Sequence, residues 1–190
     1  MKIGIFTDSH YSSQEITCGN RYNNKSLQKI KQAYDVFETE KCELVICLGD
    51  LIDKENSHTR EIENLKEVAQ IIKVSNIPSI CVMGNHDAFA FEVDEFYGIL
   101  GDDCVPKDIS IDNKNLLFLD ACFFKSGAHY KPGDSDWTDT YYPDAVALEN
   151  KLFDIVGDTY IFMHQNIDPA IHKSHRLYNA DELCEIIEKC

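Results

Sequence analysis

The segment IPSICVMGNHD, residues 77–87, runs from an apolar, strand-like stretch directly into Gly84, Asn85, His86 and Asp87. Asn, His and Asp each bring polar groups that need partners once buried. Gly-Asn also suits a tight turn for backbone reasons alone, so this stretch by itself fits a polar turn as well as a site. The segments before it decide. ELVICLGD, residues 43–50, is a second short apolar run ending in a Gly-Asp pair, and KIGIF, residues 2–6, leads into Thr7-Asp8-Ser9-His10. Between these runs Leu27, Ile30, Tyr34 and Phe37 recur at helical spacing, as do Ile62, Leu65, Val68, Ala69 and Ile72. Strand, helix, strand, helix, strand is the pattern of a largely parallel sheet. Ligands of such sheets bind beyond the carboxyl ends of the strands. Asp8 with His10, Asp50 with Asp53, and Asn85 with His86 each occupy such an end, and neighbouring strands would bring them to one rim.

The second half reads differently. KDISIDNKNLLFLDAC, residues 107–122, reads as two strands joined by a tight turn at Asp112-Asn113-Lys114. A polar stretch over residues 125–140 reads as a loop above the site. Residues 144–156 carry Val146, Leu148, Leu152, Phe153 and Val156 at helical spacing, with Gly157 placed to end a helix. TYIFMHQN, residues 159–166, is another apolar strand, placing His164 at its polar end. Asn179 and Glu182 resemble a capping box opening a last helix. Neither repeats nor a linker interrupt the chain, so residues 1–190 read as one domain.

The totals bound the function. Lys and Arg number 18 against 33 Asp and Glu, a net charge of −15, which argues against broad binding to nucleic acid or anionic membranes. A small phosphorylated substrate remains compatible, since bound cations reverse the local field. No apolar run approaches the roughly 20 residues of a membrane span. With KIGIF opening a strand at residue 2, the expectation is that no cleavable leader precedes the fold. The 8 cysteines form no C-x-x-C, and Cys47 and Cys81 lie inside apolar runs. The expectation is a cytoplasmic chain with reduced thiols.

Asp8, His10, Asp50, Asn85 and His164 would offer carboxylate, imidazole and amide donors without a thiolate. That set suits Mn, Fe or Zn and not a structural Cys-type zinc centre. A carboxylate can bridge two cations in two-metal phosphoryl chemistry. The ordered motifs DSH (residues 8–10), GDLID (49–53), GNHD (84–87) and the His of FMHQN (162–166) resemble the calcineurin-like metallophosphoesterase family. The resemblance implies an α/β fold, a four-layer α/β/β/α sandwich with mixed sheets. It implies two divalent metal ions and a metal-bridging hydroxide attacking a phosphomonoester, phosphodiester or nucleotide pyrophosphate. Carried over residue by residue, Asp8 and His10 would hold the first metal, Asp50 would bridge, and Asn85 and His164 would hold the second. His86 would not bind metal but would protonate the leaving oxygen or stabilise its charge, Asp53 would bond His86 and favour its cationic form, and Asp87 would fix the turn.

The chain departs from the family pattern in one respect: no G-H-x-H follows the last helix, and the sequence reads as truncated at its C-terminal end, with the strands that complete the second sheet missing. On that reading each metal centre lacks one ligand, unless His172, His175 or a partner chain substitutes. SDWTDTYYP and HQNIDPAIHKSHRLYNADEL are faintly similar to the branch acting on ADP-ribose and CDP-alcohols, which would make the substrate nucleotide-type. A non-catalytic metal-binding or protein-interaction scaffold on the same fold is the alternative; a general-acid pair would serve no purpose in it. His58 and His129 read as loop histidines in solvent. His172, His175 and Arg176 read as an exposed basic loop or a phosphate contact. Trp137, Tyr141 and Tyr142 read either as a base-stacking platform or as loop packing.

Overall fold

The computed structural model describes residues 1–14, 21–134 and 141–189. Trp137, and with it the residues 135–140 of the expected loop, lies outside the described residues. The chain forms two compact units, Met1–Pro106 with Lys131–Gly133, and Lys107–Tyr130 with Asp134–Cys190. Each contains a three-stranded sheet, so the fold is mixed α/β as the sequence implied. No described helix is long and apolar enough to cross a membrane.

The first unit is built on β1 (Ile3–Phe6), β2 (Leu44–Cys47) and β3 (Ser79–Cys81), parallel and in the order β1-β2-β3. Crossovers run through α1 (Ser26–Thr39) and α2 (His58–Val74). Every residue of β2 is buried, as a central parallel strand covered on both faces should be. The helices contribute the apolar positions read from the sequence: Ile30 and Tyr34 from α1, Leu65, Val68, Ala69 and Ile72 from α2. Each buried Ile, Leu or Val among them stabilises the fold by about 1.5–3 kcal/mol relative to exposure. Tyr34 is fully inside, so its hydroxyl needs a partner, which Ser79 Oγ supplies at 2.9 Å. After β3 the chain turns at once into α3 (Asn85–Ala90) and then α4 (Val93–Leu100).

The second unit begins with the expected hairpin. Strands β4 (Ile109–Ile111) and β5 (Lys114–Phe118) pair antiparallel, and Asp112 takes the turn at φ 54°. Strand β6 (Asp158–Phe162) lies parallel to β5, with Phe118 opposite Phe162. Helix α5 (Ala145–Phe153) starts under Asp144, whose carboxylate accepts Ala147 N–H at 2.8 Å. Helix α6 (Ala180–Glu188) packs Leu183 and Ile186 inward.

Two local expectations change. Gly157 does not end α5, which stops at Phe153. It sits at φ 108° where a Cβ would lie 2.5 Å from Asn113 O, so it is the approach of β6 to the β4–β5 turn that demands glycine. Asn179 precedes α6 without capping a backbone N–H; its amide donates to Pro143 O and to Glu182 Oε2.

Candidate metal centre

The strand ends of the first unit are laced together. Asp8 N–H donates to Gly49 O at 3.0 Å, His10 N–H to Asp50 O at 2.9 Å, and Tyr11 N–H to Leu51 O at 2.9 Å. Along this seam Asp8, His10 and Asp50 all adopt left-handed backbone, at φ 53°, 42° and 53°. Non-glycine residues in that region cost energy and persist only where the surroundings enforce it. The result is convergence. His10 Nε2 lies 3.6 Å from Asp8 Oδ1 and 3.5 Å from Asp50 Oδ2. One donor atom from each of these residues falls within 4.8 Å of the others, a group able to hold a cation. The donors fit a divalent metal: two carboxylates held this close repel one another, and a cation between them relieves that cost. Asp50 and His10 are buried, while Asp8 is exposed.

The GNHD turn is clamped against the same seam. Asp87, fully buried, accepts Leu51 N–H at 2.9 Å and Ile52 N–H at 3.3 Å through Oδ1, and Gly84 N–H at 3.0 Å through Oδ2. This matches the structural role expected of it. Gly84 has an ordinary φ of −96°, but a Cβ there would lie 2.3 Å from Asp50 Oδ1. Asn85, half-buried, opens α3, and the next N–H, that of His86, donates to Asp50 Oδ1 at 2.8 Å. Asp50 thus has one oxygen toward His10 and the other on the GNHD turn.

His86 Nδ1 and Asp53 Oδ1 are 2.8 Å apart. The imidazoles of His10 and His86 meet edge to face, centroids 4.5 Å apart. His10, Asp53 and His86 form a second group of converging donors. Burial is the largest influence on the His86 pKa and lowers it; the hydrogen bond to Asp53 and the charges of Asp50, Asp53 and Asp87 outweigh it, and the value is raised.

The first unit therefore collects Asp8, His10, Asp50, Asn85, His86 and Asp53 around the ends of its strands. His164 lies two residues beyond β6 in the second unit, half-buried at a strand end as the sequence suggested. His58 is not a free loop histidine: it opens α2 and bonds Glu61 and Glu95, each at 2.9 Å. His129 is likewise held, 3.0 Å from Asp120 Oδ2 and 2.5 Å from Tyr130 O. His172 and His175 are exposed, and Arg176 pairs with Asp181.

Several residues near the site carried no motif in the sequence. Asn23, 2% exposed, donates through Nδ2 to Asp53 Oδ2 at 2.8 Å. Buried Glu55 accepts from Ser12 Oγ at 2.6 Å and from Asn64 Nδ2 at 2.8 Å, which ties the segment after His10 to α2. Tyr11 OH adds a bond to Glu67.

The sequence matches the calcineurin-like phosphoesterase family over residues 1–189. Among solved structures, a dimetal phosphatase from Danio rerio superposes with a TM-score of 0.79 at 16% identity, covering 98% of this chain and 77% of that one. A Thermus thermophilus protein superposes with a TM-score of 0.54 at 11% identity, covering 98% and 76% of the two chains. At such identities the likeness is one of fold. No curated protein sequence matches the chain.

Proposed function

The chain belongs to the calcineurin-like phosphoesterase family, and on that premise we propose that it hydrolyses small phosphate esters with the help of two divalent cations. The observation that carries the reading is the pairing of a cation-holding group, Asp8, His10 and Asp50, with a proton-donating pair, Asp53 and His86, joined through Asp50. Asp8 and His10 would hold one cation and Asn85 would help hold the other, with Asp50 shared between them. Bound divalent cations, Mn, Fe or Zn by donor chemistry, neutralise phosphoryl oxygens and make water a competent nucleophile near neutral pH.

The protein's own groups supply the rest. With Nδ1–H donating to Asp53, His86 keeps Nε2 to carry a proton to the departing ester oxygen as its bond to phosphorus breaks. The raised pKa of His86 favours the protonated ring that this step requires. Asp50 takes the His86 N–H, so the donor cannot drift away from the cation-holding group. Substrates are phosphomonoesters, phosphodiesters or nucleotide pyrophosphates. A pure scaffold on this fold would gain nothing from Asp53 against His86.

The test is hydrolysis of bis(p-nitrophenyl) phosphate and p-nitrophenyl phosphate by chelator-treated protein, with Mn²⁺, Fe²⁺ or Zn²⁺ added back. Turnover restored by one of these metals, and lost in Asp50→Asn, is the expected result. If no metal produces turnover of either ester, the hydrolase reading fails and the scaffold reading takes its place.

A further inference from the structure

Asp53 is held from more than one side. Its Oδ1 faces His86 Nδ1 at 2.8 Å and accepts Lys54 N–H at 3.2 Å, while Oδ2 receives Asn23 Nδ2 at 2.8 Å. Asn23 comes from the one-turn 3-10 helix, residues Asn23–Lys25, that leads into α1, thirty positions from Asp53 in the chain. Both side chains are almost fully buried, Asn23 at 2% exposure and Asp53 at 6%. The second amide atom, Asn23 Oδ1, is buried with no partner among the described residues. The carboxylate alone therefore decides which way the amide faces, since an amide oxygen turned toward Asp53 would set acceptor against acceptor. A buried amide satisfied on only one side is a costly choice where an aliphatic residue would pack. Such local costs are tolerated where function sets the geometry.

We propose that Asn23 is a positioning residue: its N–H holds the Asp53 carboxylate in the plane that presents Oδ1 to His86 Nδ1, and so keeps His86 Nε2 as the proton-carrying end. The inference rests on the phosphoesterase reading for its catalytic consequence, but not for the geometry itself. Without the amide, Oδ2 would lose the donor that Asn23 supplies from the residues leading into α1, and the carboxylate would be freer to turn out of the plane that faces His86. His86 would lose its fixed orientation while the Asp8, His10 and Asp50 group stayed intact. The loss therefore falls on the protonation step alone. A p-nitrophenolate leaves with little protonation, whereas a phenolate depends on it.

The variant is Asn23→Leu, close in size and without the donor. It is expected to lower kcat on phenyl phosphate by about tenfold, part of the roughly 10²–10⁴-fold that a positioned proton donor contributes. Turnover of p-nitrophenyl phosphate, which also reports that the variant folds, should fall by less than about threefold, with KM and bound-metal content unchanged. Equal losses on both esters, no loss on either, or a changed metal content overturn the proposal. A second measurement is independent of activity. In chelator-treated protein the His86 Nδ1 proton, held by a carboxylate, gives a slowly exchanging downfield NMR resonance, assigned by its absence in His86→Gln. Asn23→Leu should lose it to exchange. Its persistence in that variant, or its absence from the parent, overturns the positioning role whatever the kinetics show. If the parent hydrolyses neither ester, the phosphoesterase reading fails separately, and the resonance alone judges Asn23.

Discussion

Replacing Gly84 by alanine tests how tightly the site is assembled. The added Cβ would fall 2.3 Å from Asp50 Oδ1 and 2.4 Å from Asp50 N, where real Cβ contacts essentially never come below 3.0 Å. The backbone at Gly84 has an ordinary φ of −96°, so the cost is steric and not conformational. Opening that contact pulls apart the two strand ends, and with them the His86 N–H bond to Asp50 Oδ1 and the Gly84 N–H bond to Asp87 Oδ2. Overpacking costs about 1–3 kcal/mol. Weakening a hydrogen bond to a buried carboxylate adds about 1.5–3 kcal/mol. The expected loss is thus about 2.5–6 kcal/mol, read from urea unfolding with unchanged slope. Affinity for Mn²⁺, read by titration calorimetry, should fall with it. Gly98→Ala is the control: nothing lies within 4 Å of the place a Cβ would take there, and alanine in the exposed face of α4 should gain up to about 1 kcal/mol. A Gly84→Ala protein within about 1 kcal/mol of the parent would refute the close-approach argument.

Other outcomes follow from the same geometry. Asn85→Ala is expected to lower bound metal and turnover together; unchanged stoichiometry by elemental analysis removes Asn85 from the ligand set. His86→Gln should keep its metals yet slow turnover most for esters with poor leaving groups, by roughly 10²-fold or more; a loss uniform across leaving groups counts against proton donation. Asp87→Asn puts an amide N–H against one of the three N–H groups it now accepts, and unfolding should be easier by about 2–4 kcal/mol. A neutral effect on urea midpoint would mean that the turn holds itself. For pH, hydrogen bonds to Glu61 and then Glu95 raise the His58 pKa above the ordinary value of 6.5. A raised folded pKa gives stability that is full below about pH 6.5 and is lost as pH rises through the folded value. His58→Gln should therefore cost more stability near about pH 6 than near about pH 9, and equal costs at both would refute the charge-based account.

What could be read in advance was what repeats locally. Apolar spacing located α1 and α2, and the short apolar runs located β1, β2 and β3, because a buried face imposes its period on the sequence. The polar residues at those strand ends stood out for the same reason: they break an apolar pattern where a parallel sheet leaves its crevice. Asn23 was invisible because its contact with Asp53 spans thirty positions and its neighbours RYNNKS read as an ordinary polar connection. His58 is exposed as read, but its place at the start of α2 and its bond to Glu95, on α4, escaped the sequence because that partner arrives only after folding. Gly157 was misread for a related reason. A glycine after a helical pattern suggests a stop, but the constraint comes from Asn113, across the sheet. Local patterns report on periodicity, and single long-range contacts leave no trace in them.

The left-handed backbone shared by Asp8, His10 and Asp50 has an outcome for protein engineering. Glycine relaxes such torsions, and at Asp8 or Asp50 it would also remove a repelling carboxylate. A library sorted only for heat resistance would therefore enrich Asp8→Gly, discarding a cation-holding group while the fold improves, whereas Asp50→Gly would remove the acceptor of the His86 N–H and should not be enriched. Sorting in the presence of Mn²⁺ should reverse that enrichment, since ligand binding to the native state restores what the torsions cost.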